Sequence, residues 1–165
     1  MDKYEIRPGV KGDEEEMARI DLECFPEEPW SVESFYHDLA ENPFALYILA
    51  EDPEAPKGES IMGYVGVWMI AGEGHITNVA VREKYRREGV GNVLLKVLEQ
   101  HCRLAEITSL TLEVRPSNET AIRLYERNRF KIEGRRRNYY RRPTEDAILM
   151  SRAIGDDTVY GGITK

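Results

Sequence analysis

An α+β fold, mixed α/β in its second half, is predicted for this 165-residue chain from three features. Three consecutive strand-like runs between 44 and 81 are separated by polar turns, the pattern of an antiparallel meander. Beyond them the strand-like HITNVAV (75–81) leads through a glycine-bearing junction into the amphipathic stretch NVLLKVLEQHC, and SLTLEVR follows. A helical crossover between two strands makes them parallel neighbours of one sheet. The full order reads βααβββαβαββ, and 41% hydrophobic content supplies one compact core over 1–154, with GDDTVYGGITK (155–165) a frayed tail.

Each element follows from local pattern. YEIRPGV is the first strand, and DEEEMARIDLECF carries Met17, Ile20, Leu22 and Phe25 at helical intervals from a start near Asp13. Pro26-Glu27-Glu28-Pro29 breaks that helix, and Ser31 is the N-cap of a second one that ends before Pro43. FALYILAE, IMGYVGVWMI and GHITNVAV form the meander. Val90, Leu94, Val97, Leu98 and Cys102 recur every three or four residues, so the third helix lays one apolar face on a sheet. SLTLEVR alternates as a strand. NETAIRLYERNRF is a short helix capped by Asn118 or Ser117, and FKIEGRRRNYY and EDAILMSRAI close the sheet.

Charge and composition narrow the function classes. Thirty acidic against 23 basic side chains argue against a general polyanion binder. The one dense basic run, Arg135, Arg136, Arg137, Arg141 and Arg142, reads as the solvated face of a hairpin or a contact for an acidic substrate, so no direct nucleic-acid partner is expected. No apolar run reaches the roughly 20 residues a bilayer requires. Cys24 and Cys102 fall in different helices and read as buried free thiols, which fits a reducing cytoplasm. His37, His75 and His101 show no ligand spacing and neither CxxC nor HExxH occurs, so no metal is expected.

The junction Arg86-Arg87-Glu88-Gly89-Val90-Gly91 between strand and helix is the chief functional signal. N–H groups at a helix start lack intrahelical partners, the helix dipole adds positive potential, and glycines let an anion come close. Asn92-Val93 follows Gly91 where a P-loop needs Lys-Ser/Thr, and Leu94 stands where a dinucleotide fingerprint needs its third glycine. What remains, Arg/Gln-x-x-Gly-x-Gly/Ala after a strand, resembles the pyrophosphate loop of the GCN5-related N-acetyltransferases, with Arg86, Gly89 and Gly91 matching. The element order resembles that family's fold over 4–154. The string LEVRPSNETAIRLYERNRF (112–130), with NYY (138–140) and EDAILM (145–150), resembles the ribosomal-protein alanine N-acetyltransferases in particular. Arg129 departs from the glycine usual there, implying an altered helix C-cap.

The resemblance implies a mostly antiparallel twisted sheet with a splayed parallel pair, and acetyl-CoA as co-substrate. Its arm would lie along the backbone of Val79 and Val81, and its pyrophosphate on Arg86, Arg87, Gly89, Val90, Gly91 and Asn92, with Asn118 nearby. It further implies Glu113 as the base that takes the acceptor proton and Tyr125 as the acid that protonates the leaving thiolate. On residue type alone, Glu113 reads as a solvated strand residue or a partner of Arg115, and Tyr125 as a core aromatic against Ile122; the family match reverses both readings. A backbone N–H near Val79 would polarise the thioester carbonyl. Neither cysteine is placed as an acyl-carrying nucleophile, so transfer is expected to be direct, in a ternary complex. Trp30 and the pair Tyr139-Tyr140 are expected to wall a narrow slot that admits a chain end, or else simply cover the sheet ends. The expected acceptor is a protein N-terminus, the alanine of a small-subunit ribosomal protein. The alternatives are an internal lysine or a small amine as acceptor, or a non-catalytic acyl-CoA-binding or RNA-associated module.

Overall fold

A computed structural model describes residues 4–154, so the expected tail at 155–165 lies outside the described residues. The elements run β1 (Glu5–Pro8), α1 (Glu14–Cys24), α2 (Val32–Ala40), β2 (Ala45–Glu51), β3 (Ile61–Ile70), β4 (Glu73–Val81), α3 (Val90–Leu104), β5 (Ser109–Val114), α4 (Glu119–Arg127), β6 (Lys131–Arg141) and β7 (Thr144–Ala153). A short 3-10 turn, Glu83–Tyr85, links β4 to α3. The order matches the one expected from the sequence.

All seven strands form one sheet in the order β1-β2-β3-β4-β5-β7-β6. β4 and β5 are parallel, every other neighbouring pair antiparallel. That parallel pairing is brief: it joins Glu73–His75 to Ser109–Thr111 and then stops, so β4 from Ile76 onward has no strand on that side. The two strands diverge from there, as the splayed pair requires.

Each face carries its own core. Leu94, Leu95, Leu98 and Cys102 of α3 pack with Val65, Ile76 and Leu112 on one face, and Tyr125 of α4 joins them. On the other, Met17 and Ile20 of α1 and Phe35 of α2 cover Tyr47, Leu49 and Tyr64. Strand alternation assigns residues to these faces: along β5, Leu110, Leu112 and Val114 are buried while Thr111 and Glu113 look toward the α1/α2 side. A β-bulge between Ile76 and Asn78 shifts the β3–β4 register, and Asn78 donates to Asp21 of α1.

Three local expectations need correction. Leu22 is 55% exposed and off the apolar face of α1, because Met17 and Ile20 already fill the space over the sheet. Cys24 is only partly buried, since it ends α1 against the last residue of β4, Val81, whereas Cys102 is in the core. The fourth helix stops at Arg127 instead of running to Phe130, because Arg129 takes a left-handed φ of 73° and turns the chain into β6.

Candidate active site

The β4–α3 junction is built for close anion approach. Gly89 is the N-cap with φ of 83° and nothing near the position of a Cβ, and Arg87 is also left-handed, at 67°. Val93 N–H makes the first helical bond, to the Gly89 carbonyl, leaving the N–H groups of Val90, Gly91 and Asn92 without helical partners. Gly91 serves packing as well: a Cβ there would lie 3.2 Å from a Leu124 methyl, so its absence seats α4 on α3. Asn92 accepts from the Asn128 amide at 2.8 Å, tying the same two helices. Arg86 folds back, its Nε donating to the Val81 carbonyl (2.9 Å) and an Nη to Cys24 Sγ (3.3 Å).

The neighbouring edge of β4 is unpaired. Arg82 N–H bonds the Met62 carbonyl, so in the alternating antiparallel pattern Tyr64/Ala80 is a bonded pair, while Gly63/Val81 and Val65/Val79 are not. The N–H and C=O groups of Val79 and Val81 therefore point away from β3, into the gap left where β5 diverges. The Val81 carbonyl is already taken by Arg86 and by the Cys24 thiol. Both groups of Val79 lack a hydrogen-bond partner among the described residues.

Glu113 meets a partner the sequence reading did not foresee. Its Oε1 is 2.6 Å from His75 Nε2, and its Oε2 is 3.7 Å from Arg136 Nε. The hydrogen bond from His75, aided by the charges of His75 and Arg136, outweighs partial burial and holds the carboxyl below the usual carboxylate range. Glu113 does not pair with Arg115, which instead binds Glu28 and Glu145. His75 and Glu113 open into a cleft of about 410 Å3 that Glu133, Arg136 and Tyr139 also line.

Tyr125 lies on the opposite face, 6% exposed, with its ring 5.8 Å from Phe130. Burial raises its pKa well above that of a free phenol, so it stays protonated. Asn118 rather than Ser117 caps α4, its Oδ1 accepting from Ala121 N–H at 3.2 Å. Ser117 is instead engaged by Glu145.

The aromatic residues expected to wall a slot divide into two groups. Trp30 packs on Phe35 (5.3 Å) and Trp68 (6.4 Å), and its backbone N–H donates to the buried Asp21 carboxylate. Tyr139 and Tyr140 meet edge to face at 5.0 Å on β6. Trp68 stands 6.5 Å from His75, so an aromatic path runs from the Trp30 loop to the Glu113 pair. No group of three or more metal-ligating side chains occurs among the described residues, and no helix among them is long and apolar enough to cross a membrane.

Residues 14–130 match the acetyltransferase (GNAT) family model. The chain belongs to the GNAT acetyltransferase family. Among its relatives, the ribosomal protein bS18-alanine N-acetyltransferase of Salmonella typhimurium is 35% identical over 130 residues, covering 76% of this chain and 82% of that one. A Bacillus subtilis protein provisionally given the same function is 37% identical over 128 residues, 78% of this chain and 82% of its own length. The crystal structure of the Escherichia coli ribosomal-protein-S18-alanine N-acetyltransferase superposes with a TM-score of 0.79 at 29% identity, over 92% of this GNAT chain and 94% of its own. The fold of this GNAT protein, with its divergent parallel strands, is thus shared with that structure.

Proposed function

We propose that the protein transfers the acetyl group of acetyl-CoA to the N-terminal α-amino group of a protein, the alanine of the small-subunit ribosomal protein bS18. The observation that carries this reading is the Glu113–His75 pair in the cleft, on the chain whose relatives bear that activity in their names. Acetyl-CoA fits the residues present: an extended arm would bond the free backbone groups of Val79, and a pyrophosphate would meet the N–H groups at the start of α3, beside Arg87. The bound thioester supplies an activated acetyl group, and the residues govern the protons.

An α-ammonium with a pKa near ~8 must lose a proton before its nitrogen can attack. Glu113, held below the ordinary range, is by itself a weak acceptor for that proton. It acts together with His75: in the neutral imidazole Nε2–H donates to Glu113, and Nδ1, with no hydrogen-bond partner among the described residues, is the lone pair that takes the proton. As the nitrogen–carbon bond forms and the carbon–sulfur bond breaks, the Tyr125 hydroxyl is the proton source for the leaving thiolate. Transfer is direct: the Cys102 thiol is buried in the core, its pKa pushed up to about 12, and the Cys24 thiol is bound to Val81 and Arg86.

The test is to incubate the protein with acetyl-CoA and two peptides, one with a free N-terminal alanine and one N-terminally blocked with an internal lysine, and to locate added mass. Acetylation of the free terminus alone is expected. Transfer to lysine alone would overturn the N-terminal reading.

A further inference from the structure

Arg115 is the most heavily engaged cation near the cleft, and neither proton transfer nor cofactor binding uses it. From the end of β5 its Nη2 donates to Glu28 Oε1 at 2.7 Å and to the Arg142 carbonyl at 3.1 Å. Its Nη1 donates to the Pro143 carbonyl at 2.9 Å and to Glu145 Oε1 at 3.0 Å, and the guanidinium lies 4.2 Å from the centre of the Tyr140 ring. Five contacts converge on one planar group from two segments far apart in the chain. Glu28 belongs to the loop between α1 and α2 that carries Trp30, and the others belong to the β6–β7 turn and its flanks, next to Tyr139. Among the described residues, the hydrogen bonds and ion pairs that link these two segments run through Arg115.

We infer that Arg115 is a positioning residue for the acceptor, holding the α1–α2 loop and the β6–β7 turn together at the end of β5, two residues beyond the cleft-lining Glu113. This deepens, and rests on, the reading that an acceptor chain end enters there. The chemistry of the side chain fits the role. A guanidinium presents donors in one rigid plane and stacks on an aromatic ring, so it bridges a carboxylate on one wall and two carbonyls on the other while lying on Tyr140. A lysine ammonium is a point donor without that plane. Glu28 is consequently engaged by Arg115. The acetyl-CoA groove, at the β4 edge and the start of α3, shares none of these contacts, so loosening the walls affects the acceptor and leaves the cofactor alone.

Glu28→Gln is the decisive variant, because it alters an exposed loop residue and leaves Arg115 its contacts to the turn. Steady-state kinetics should give a 5- to 20-fold higher KM for an alanine-terminated peptide, kcat within threefold, and an unchanged KM for acetyl-CoA, with Arg115→Lys larger in the same direction. Hydrogen–deuterium exchange on the same proteins is independent of turnover: amides of 26–31 should exchange faster in both variants, and those of 141–145 faster only in Arg115→Lys. Unchanged exchange at 26–31 in both variants would overturn the inference, whatever peptide is acetylated. An acceptor KM that stays put, or rises in step with the acetyl-CoA KM, would also overturn it. A wild-type protein acetylating no N-terminus would refute the function proposed above, and the exchange result would then decide whether Arg115 couples the walls.

Discussion

His75 Nε2 and Glu113 Oε1 are 2.6 Å apart across the parallel β4–β5 pair, at the point where that pair begins to diverge. The register sets this contact: His75 lies beside Thr111, and Glu113, two residues on, shares the face of Thr111. The β4 edge is left unpaired from Ile76 onward among the described residues, so the unpaired edge and the His75–Glu113 contact adjoin the same end of the parallel pairing.

Replacing Glu113 by Gln should lower turnover by about 10²-fold with acetyl-CoA affinity retained. A stability signature accompanies it. The folded-state pKa of Glu113 is depressed by the His75 hydrogen bond first. Its contribution is therefore present above the unfolded carboxylate pKa of about 4.3 and is lost as pH falls through the lower folded value. Thermal melts of the wild type and Glu113→Gln should differ at pH 7 and draw together as the pH falls below the unfolded carboxylate value. A constant gap across that range would show that the pair does not hold the carboxyl down.

His75→Ala removes the largest influence that lowers the Glu113 pKa, leaving burial opposed only by Arg136. The Glu113 carboxyl should then titrate at higher pH, visible by carbon-13 NMR of labelled glutamate, and turnover should fall by about 10- to 10²-fold. Restored titration with undiminished turnover would leave Glu113 as the sole proton acceptor.

Tyr125→Phe keeps the ring volume and its contact with Phe130, and the lost hydroxyl has no hydrogen-bond partner among the described residues. Stability should change by less than about 1 kcal/mol while turnover drops by about 10²-fold. Because burial raises the wild-type phenol pKa, Tyr125 contributes no alkaline limb to the rate below about pH 10. Wild-type turnover in Tyr125→Phe would return this residue to the core-aromatic role its burial alone suggests.

Much of this was legible in the chain. Strand alternation and helical spacing are local signals, so element order, the meander, the Ser31 and Asn118 caps and the α3 face could be read directly. The glycine junction was legible because left-handed φ at a helix start leaves few residue choices. His75 was not, since a lone histidine in a strand has no periodic signature and its partner lies 38 residues away. The partners of Arg115 were not legible for the same reason. Spacing put Glu113 two residues from it on one face, whereas the acceptors that claim its guanidinium come from the α1–α2 loop and the β6–β7 turn.

Gly89→Ala separates the two requirements placed on the α3 entrance. A methyl at Gly89 would meet nothing, so space is not limiting, but φ of 83° is strained for any residue with a Cβ. The variant should lose about 1–2 kcal/mol of stability, or relax the loop and misdirect the N–H groups that follow it. Either way the KM for acetyl-CoA should rise several-fold with the acceptor KM unchanged. Gly91→Ala poses the opposite case: helical backbone with a Leu124 methyl at 3.2 Å, a contact that a side-chain rotation can relieve. It should cost less in stability and shift α4 more than the loop. Equal effects of the two variants on the acetyl-CoA KM would mean that helix packing, and not the left-handed cap, sets the geometry of the anion site.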